Sequence, residues 1–321
     1  MSELVSKKIA LVIPAYRVAK LLPDVVASVP ALVGRIFVVD DGCPEQSGKV
    51  LQSVTNDSRV AVLFHPINQG VGAAVVTGYR AALTWGADIV VRIDGDGQMD
   101  TSQMERFVHL LQSGRADFVK GNRFFEIASL SEMPTIRLIG NTVLSFAAKA
   151  MSGYWNVMDP TNGYSAIDSR VLRKLPLESL EKRYFFESDL LFHLALLRAV
   201  IAEIPVKSVY GDEQSSLSIV HCGVTFPLKY IARFLKRIFY NYFLRDFNVF
   251  SLELLLGIVL VVFGTIFGGI HWYRSIVENT PATTGTIMVA ALPIILGFQL
   301  LVSAVSFDVG NFPKTPISDS Y

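Results

Sequence analysis

Two long stretches almost without charge limit what this chain of 321 residues can fold into. The first, Phe250 to Ile270, carries one charge, Glu253, near its start, and the second, Gly285 to Phe307, carries none. A helix of roughly 20 apolar residues crosses about 30 Å of hydrocarbon. The alternative is a pair of buried core helices, but adjacent uncharged runs of this length are unusual in a soluble core. We therefore predict a transmembrane hairpin of two helices over residues 249–308.

The charges beside these stretches indicate their orientation. The loop between them, HWYRSIVENTPATT, has one arginine and one glutamate, whereas a basic cluster precedes the first stretch. The positive-inside rule then places residues 1–249 and the C-terminal tail in the cytoplasm. The N-terminus reaches a strand-like run within ten residues and shows no signal peptide. The basic cluster consists of Lys229, Arg233, Lys236, Arg237 and Arg245.

The segment FPLKYIARFLKRIFYNYFLRDF, residues 226–247, alternates apolar and basic side chains at helical spacing. This pattern is typical of helices that lie in the membrane interface against anionic lipid headgroups. An amphipathic helix packed on the preceding domain would show the same pattern. The expected domains are a cytoplasmic domain over 1–222, amphipathic juxtamembrane helices over 223–248, the hairpin over 249–308 and a cytoplasmic tail over 309–321.

Charge and cysteine content exclude several classes of function. The net charge of +1 gives no basic field of the kind that attracts nucleic acid. The two cysteines, Cys43 and Cys222, fit a reduced compartment and lack metal-ligand spacing.

The first 125 residues alternate short β-rich runs with longer helical ones. This alternation predicts an α/β fold with a mostly parallel sheet covered by helices on both faces. Ligands bind such sheets at the carboxyl ends of the strands. The predicted strands are KIALVIP, RIFVVDDG, VAVLFHP, DIVVRIDGDGQ and DFVKGNRF, and the predicted helices are residues 20–29, GVGAAVVTGYRAALTWG and SQMERFVHLLQSG.

Three of these strands end in polar residues that should converge on one crevice: Pro14-Ala15-Tyr16, Asp40-Asp41-Gly42 and Asp94-Gly95-Asp96. If DGDGQ is extended, its alternate residues Asp94, Asp96 and Gln98 share one face. They would then offer hard oxygen ligands suited to Mg²⁺ or Mn²⁺. The run GVGAAV matches only part of a dinucleotide fingerprint, because its third glycine is missing, so a dehydrogenase is disfavoured.

These motifs in this order resemble family 2 glycosyltransferases, whose GT-A fold is Rossmann-like. Within that family the chain is similar to the membrane-anchored polyprenyl- or dolichyl-phosphate sugar synthases. The resemblance covers about residues 1–220, and the two C-terminal spans fit the same subgroup. The residues that carry it are IPAY (13–16), VVDDG (38–42), NQGVGAAVVTGYRAA (68–82), DGDGQ (94–98), GNRF (121–124) and DPTNGY (159–164).

The resemblance implies a role for each matching position. It implies that Asp96 and Gln98 hold Mg²⁺ or Mn²⁺ on the diphosphate and that Arg123 lies near the phosphates. Arg137 would meet the lipid phosphate, and Asp159 would orient the sugar hydroxyls or cap its own turn. The residues expected to contact the nucleotide are Pro14, Ala15, Tyr16, Val39, Asp40, Asp41, Asp94 and Gly95.

One departure from the family pattern concerns the acceptor phosphate. Where many lipid-phosphate synthases carry an arginine and a lysine, this chain has YGDEQSSLSI, with Tyr210 and Ser216 near those positions. A serine hydroxyl can hydrogen-bond a phosphate but cannot neutralise it. We therefore expect Ser215 and Ser216 to contact the acceptor, and a cation from elsewhere in the chain to replace the missing arginine and lysine. The candidates are Lys207, Arg183 and Arg137.

The resemblance implies an inverting transfer of a hexose from a UDP- or GDP-sugar to polyprenyl or dolichyl phosphate at the cytoplasmic membrane face. A second reading transfers the sugar to a hydroxyl of a lipid-linked saccharide, which needs a base such as Glu187 or Asp189. A third is a non-catalytic membrane scaffold of the same fold. The expected partners are the donor, the acceptor lipid and membrane lipids, and the small residues GTIFGG (264–269) allow a homo-oligomer.

Overall fold

The computed structural model describes residues 7–125, 135–206 and 219–319. Side chains are described for these ranges except at residues 135–139, 141 and 219–224. The chain divides into two compact units, one of residues 1–234 with 313–321 and one of residues 235–312.

The first unit contains a sheet of seven strands in the order β3-β2-β1-β4-β6-β5-β7. The β6 strand runs antiparallel to both of its neighbours, and every other pairing is parallel. The mostly parallel sheet predicted from the sequence is confirmed. The strands are β1 (Ile9–Ala15), β2 (Arg35–Asp40), β3 (Val60–Phe64), β4 (Ile89–Arg92), β5 (Phe118–Asn122), β6 (Ser165–Asp168) and β7 (Ile201–Pro205).

Helices cover both faces of this sheet, as predicted. Along β1, Ile9, Leu11 and Ile13 enter one hydrophobic core, and Ala10 and Val12 enter the core on the opposite face. The α-helices of the described residues are α1 (Leu22–Ala27), α2 (Ser47–Val54), α3 (Val71–Trp85), α4 (Met104–Gln112), α5 (Thr135–Ser152), α6 (Ser169–Leu172), α7 (Phe186–Leu197), α8 (Ile219–Phe239), α9 (Val249–Val277) and α10 (Thr284–Gly310).

Small residues let α3 approach the sheet and a neighbouring loop closely. A Cβ at Gly78 would overlap Cγ1 of Val12 in β1. A Cβ at Gly72 would overlap the carbonyl oxygen of Glu181 and would lie 2.8 Å from Cβ of Phe186. The glycines of GVGAAVVTG are therefore explained by helix packing, without a dinucleotide.

The C-terminal tail belongs to the first unit. The backbone N–H groups of Ile317 and Ser318 donate to the carboxylate of Asp117, at 3.0 and 2.8 Å. Asp117 is buried at the start of β5 and also accepts the N–H of Val200 at 2.7 Å. Three backbone donors thus satisfy this buried charge.

The second unit consists mainly of α9 and α10, and both are long and apolar enough to cross a membrane. Glycines allow the two helices to touch within one chain: a Cβ at Gly257 would lie 3.0 Å from the carbonyl oxygen of Gly297. One at Gly264 would lie 2.7 Å from that of Ala290. Gly264, in the GTIFGG run read as a possible oligomer contact, thus packs inside the hairpin.

Three members of the basic cluster, expected to face lipid headgroups, are paired with carboxylates of the protein. Lys229 Nζ lies 2.7 Å from Glu181 Oε2, and Arg233 Nε lies 2.7 Å from Asp189 Oδ1. In the second unit, the buried Arg237 forms two hydrogen bonds with Asp308, at 2.6 and 2.9 Å. The expected headgroup-facing role is wrong for Arg237, which is buried, whereas Lys229 and Arg233 are partly exposed and bound to acids distant in sequence. The first part of α8 matches the alternative reading of a helix packed on the domain, since Tyr230 also lies in a hydrophobic core.

The close approach at Gly78 gives a test of the packing of α3. Gly78→Ala should lower the free energy of unfolding by about 1–3 kcal/mol, because the new methyl group must displace Val12. Gly140→Ala is the matched control, since no described atom lies within 4 Å of the added Cβ. This control should be neutral or raise stability by about 0.5–1 kcal/mol, as Gly→Ala does inside a helix. Thermal unfolding of the full chain in detergent measures both, and equal melting temperatures for the two variants would contradict the packing.

Candidate active site

A cavity of about 680 Å³ lies at the carboxyl ends of β1, β2 and β4. The convergence expected for these strand ends is therefore observed. The predicted residues that line the cavity are Pro14, Ala15 and Tyr16 after β1, Asp41 after β2, and Asp94, Gly95 and Asp96 after β4.

Asp41 holds the loop that forms one wall of this cavity. Its Oδ1 lies 2.6 Å from His65 Nδ1 and accepts the N–H of Gln69 at 2.9 Å. Its Oδ2 accepts the N–H of Gly70 at 2.7 Å. Gly70 has φ +104°, which favours glycine, and a Cβ there would overlap the backbone of Lys182. Asp41 therefore fixes the loop that leads into the N-terminus of α3.

The other two predicted residues of β2 serve the fold. Asp40 is buried and its carboxylate accepts the N–H groups of Cys43 at 2.8 Å and Gly48 at 2.7 Å. Val39 is buried in the sheet between β1 and β3. Neither residue lines the cavity.

The DGDGQ segment forms a turn, so the extended geometry assumed from the sequence is wrong. Gly97 has φ +75°, and the N–H of Gln98 donates to Asp96 Oδ1 at 3.1 Å. Asp94 and Asp96 still reach the cavity wall because they precede the reversal, whereas Gln98 does not line the cavity.

The buried Arg92 forms an ion pair with Asp94. Its Nη2 lies 3.2 Å from Asp94 Oδ1 and 2.8 Å from Glu187 Oε1. Burial opposes the charge, but the two carboxylates outweigh it and raise the pKa of Arg92. Arg92 was not among the residues expected at the site, although an arginine inside an otherwise apolar strand indicates that it has buried partners.

Gly163 bounds Asp94 on another side, because a Cβ at this position would overlap Asp94 Oδ2. Its neighbour Asn162 accepts a hydrogen bond at its backbone oxygen from the buried Lys120. Asp94 is thus confined by Arg92 on one side and by the NGY segment on the other. The NGY segment lies more than 60 positions from Asp94 in sequence.

Arg123 and Asp159, expected to contact phosphate and sugar, pair with each other. The Nε and Nη2 of Arg123 donate to the two carboxylate oxygens of Asp159 at 2.7 and 2.9 Å. Burial of Asp159 opposes ionisation, but the hydrogen bonds and charge of Arg123 outweigh it and lower the pKa of Asp159. The pair closes β5 onto the DPTNGY segment, and neither residue lines the cavity.

The two candidate bases are both engaged. Asp189 is fully buried, and its carboxylate binds Arg233 and accepts the N–H of Glu181 at 3.0 Å. Glu187 is bound to Arg92, and neither residue lines the cavity. Arg137 lies in α5 but its side chain is outside the described residues, as are Lys207, Tyr210, Ser215 and Ser216.

The cavity lining also includes residues that the sequence resemblance did not single out as nucleotide contacts, among them Arg17, Asn68, Arg183 and Tyr184. Asn68 opens the NQG run, whose spacing alone does not say which side chain faces a ligand. Arg183 and Tyr184 lie far from the strand ends in sequence, so only the folded chain brings them to the cavity.

The donor set at the cavity suits a hard divalent cation that takes its remaining ligands from a substrate. Among the described residues, no group of three or more His, Cys, Asp or Glu side chains is arranged to hold a metal. Asp94 and Asp96 offer two carboxylates beside an open cavity. Mg²⁺ is commonly held by one or two carboxylates together with substrate phosphates, so this pair fits such an ion.

Comparison with known proteins agrees with this geometry. Residues 10–176 match the family described as "Glycosyl transferase family 2". A UDP-N-acetylglucosamine–dolichyl-phosphate N-acetylglucosaminyltransferase of Methanococcus voltae is 29% identical over 220 residues, which cover 64% of this chain and 87% of the relative. An undecaprenyl-phosphate mannosyltransferase of Micrococcus luteus is 30% identical over 220 residues, which cover 66% of this chain and 89% of the relative.

Solved structures support the fold. A glucosyl-3-phosphoglycerate synthase of Mycobacterium tuberculosis in complex with UDP matches with a TM-score of 0.53 and 21% identity, covering 72% of this chain and 80% of that one. The same enzyme with Mn²⁺, UDP and its product matches with a TM-score of 0.51 and 20% identity, with the same coverage.

The bridge made by Arg92 predicts a strong effect on stability. Arg92→Met leaves two carboxylates without their shared cation and should lower the free energy of unfolding by about 3–5 kcal/mol, as breaking a buried ion pair does. In the double variant Arg92→Met/Glu187→Gln, much of the loss should be recovered, because one uncompensated charge is removed. Thermal unfolding of the full chain measures the wild type, both single variants and the double variant. If the two losses of stability simply add, Arg92 and Glu187 do not form an ion pair.

Lys120 predicts a dependence of stability on pH. Burial lowers the pKa of Lys120 from 10.5 to about 8, although Asp159 and Glu187 oppose this. Between these two values the unfolded chain binds more protons than the native chain, so the contribution of Lys120 to stability rises with pH. The melting temperature of the wild type relative to Lys120→Met should therefore increase from about pH 7 to about pH 10. A difference that does not change with pH would contradict the lowered pKa.

Proposed function

This chain belongs to glycosyl transferase family 2, and we propose that it transfers a sugar from a nucleotide sugar to the phosphate of a polyprenyl or dolichyl lipid. The observation that carries this proposal is the pair of carboxylates, Asp94 and Asp96, on a cavity at the carboxyl ends of the parallel strands. Both relatives described above are named as transferases that act on lipid phosphates, which supports the acceptor class.

In this proposal the nucleotide lies along the ends of β1 and β2, against Pro14, Ala15, Tyr16 and Asp41. Tyr16 offers an exposed aromatic face on which a base can stack. Asp94 and Asp96 would hold Mg²⁺ or Mn²⁺, the ions present with UDP in the solved structures of the synthase from Mycobacterium tuberculosis. When bound there, the ion would stabilise the charge that develops on the departing diphosphate.

The transfer is a single displacement. An oxygen of the acceptor phosphate attacks the anomeric carbon of the sugar and forms the new C–O bond. The bond from that carbon to the diphosphate breaks, and its electron pair leaves with the nucleoside diphosphate. Attack opposite to the leaving group inverts the anomeric centre, and the transition state resembles the oxocarbenium ion of glycoside chemistry.

The state of the two candidate bases supports a phosphate acceptor over a hydroxyl acceptor. A hydroxyl needs a carboxylate within hydrogen-bond reach to remove its proton. Asp189 is buried against Arg233 and Glu187 is bound to Arg92, so neither is free for this role. A lipid phosphate is already anionic at neutral pH and needs no such base.

The orientation in the membrane is part of the proposal. The tail that follows α10 donates two backbone hydrogen bonds to Asp117 of the catalytic unit. With two spans between them, the catalytic unit and the tail would then lie on the same side of the membrane. The low count of basic residues in the loop between the spans supports the cytoplasmic side.

A transfer assay on detergent-purified protein tests the proposal. UDP- and GDP-linked radiolabelled sugars are supplied with polyprenyl phosphate, with and without Mg²⁺ or Mn²⁺. We expect cation-dependent label in the lipid fraction and a loss of about 100-fold or more in Asp96→Asn, as for removal of an electrostatic contact to the transition state. Asp100→Asn is the matched control, because Asp100 is exposed outside the cavity and asparagine caps a helix equally well.

Two outcomes would overturn the proposal in different ways. Donor binding without labelled lipid phosphate would point to another acceptor. No binding of any donor, with or without cation, would favour a non-catalytic scaffold.

A further inference from the structure

A second cavity, of about 740 Å³, adjoins the one at the strand ends. The two share three lining residues, Asn68, Arg183 and Tyr184. The first cavity carries Asp94 and Asp96, and the second extends from the shared wall toward Phe226 in α8. A ligand in the second cavity would therefore have one end beside the proposed donor site.

The second cavity has an apolar wall. Ile67, Leu180, Phe185 and Phe226 line it. Ile67 is 69% exposed and Tyr184 is 46% exposed, so both side chains are accessible to an apolar ligand in this cavity. An isoprenoid chain suits such a wall, whereas a nucleotide sugar has no comparable apolar part.

The second cavity has acidic and basic side chains on its wall, but among the described residues only basic ones are available to bind a ligand. Its two acids are engaged, since Glu178 pairs with Arg80 and Glu181 lies 2.7 Å from Lys229. Within the part of the chain that the structure describes, no hydrogen bond or ion pair involves the side chain of Lys182 or Arg183. The wall is therefore net cationic beside the position where the two cavities meet.

The direction of Arg183 is set by the loop that Asp41 holds. A Cβ at Gly70 would lie 2.7 Å from Cγ of Arg183, so the stem of the arginine lies against this glycine. Asp41 in turn accepts the N–H of Gly70. The contacts from Asp41 through Gly70 thus position the stem of Arg183, a residue that lines both cavities and has no side-chain partner among the described residues.

We infer that Arg183 binds the phosphate of the acceptor lipid and that the first isoprene units of that lipid occupy the second cavity. The inference rests on the proposed function. Arg183 supplies the cation that the serine-rich segment near residue 216 lacks. Arg123 is less suited to this role, because its Nε and Nη2 both donate to the buried Asp159 and it lines neither cavity.

The test compares Arg183→Gln, Arg183→Lys and a control, Arg173→Gln, which removes an exposed arginine that lines neither cavity. KM is measured for polyprenyl phosphate and for the sugar donor, together with the affinity for UDP. In Arg183→Gln, the KM for polyprenyl phosphate should rise about 10- to 100-fold, the scale of one charge-assisted hydrogen bond, with the donor constants within about twofold. Arg183→Lys should keep most of the affinity, and Arg173→Gln should match the wild type.

A second variant tests the apolar wall. Ile67→Ser should raise the KM for polyprenyl phosphate several-fold without changing the affinity for UDP, because a large exposed apolar contact is lost. Ile67 lies on the surface, so this variant should fold normally.

Other results would overturn the inference. If Arg183→Gln raises the donor KM or weakens UDP binding as much as it affects the lipid, Arg183 serves the donor diphosphate. An unchanged KM for polyprenyl phosphate in both Arg183→Gln and Ile67→Ser would place the acceptor elsewhere. Failure of the proposed function is distinct, since the wild type itself would then label no lipid phosphate.

Discussion

The geometry of the acidic turn depends on Arg92, a cation buried under two carboxylates. Without Arg92, the carboxylates of Asp94 and Glu187 would repel each other strongly, because the interior has a low dielectric constant. Arg92 contacts both and so fixes Asp94 from below, while the missing side chain of Gly163 leaves room for the second oxygen of Asp94. A turn rich in glycine would otherwise be free to move. The surrounding elements thus give rigidity to a segment whose own sequence supplies little.

A second constraint is the close packing of α3. Gly72 and Gly78 let the helix reach both the backbone at Glu181 and the side chain of Val12. This approach brings the segment that precedes α7 to the edge of the cavity, where Arg183 and Tyr184 join residues from the strand ends. The glycines of the NQGVGAAVVTG run therefore shape the site indirectly, through the distance between a helix and its neighbours.

The mostly parallel sheet and the meeting of Tyr16, Asp41 and Asp94 followed from periodicity and from the rule that ligands bind at the carboxyl ends of such strands. The extended reading of DGDGQ failed because a positive φ at Gly97 reverses the chain, and glycine permits this without requiring it. The partners of Arg92, Arg123 and Arg233 could not be read from the sequence. Their carboxylates come from segments between 36 and 95 residues away, with Asp94 the one exception, and no local pattern encodes such pairs.

Five arginines of the described chain fall into two groups with different consequences. Arg92, Arg123, Arg233 and Arg237 each contact a carboxylate that is buried or nearly so, and an ion pair of this kind fixes structure because neither charge can leave. Arg183 instead lines both cavities, and within the described residues its side chain forms no hydrogen bond or ion pair. A basic cluster in a membrane enzyme is readily assigned as a whole to lipid headgroups. Here buried carboxylates neutralise several of the nearby cations, whereas Arg183 lies on the wall of both cavities with a planar set of donors that suits a phosphate.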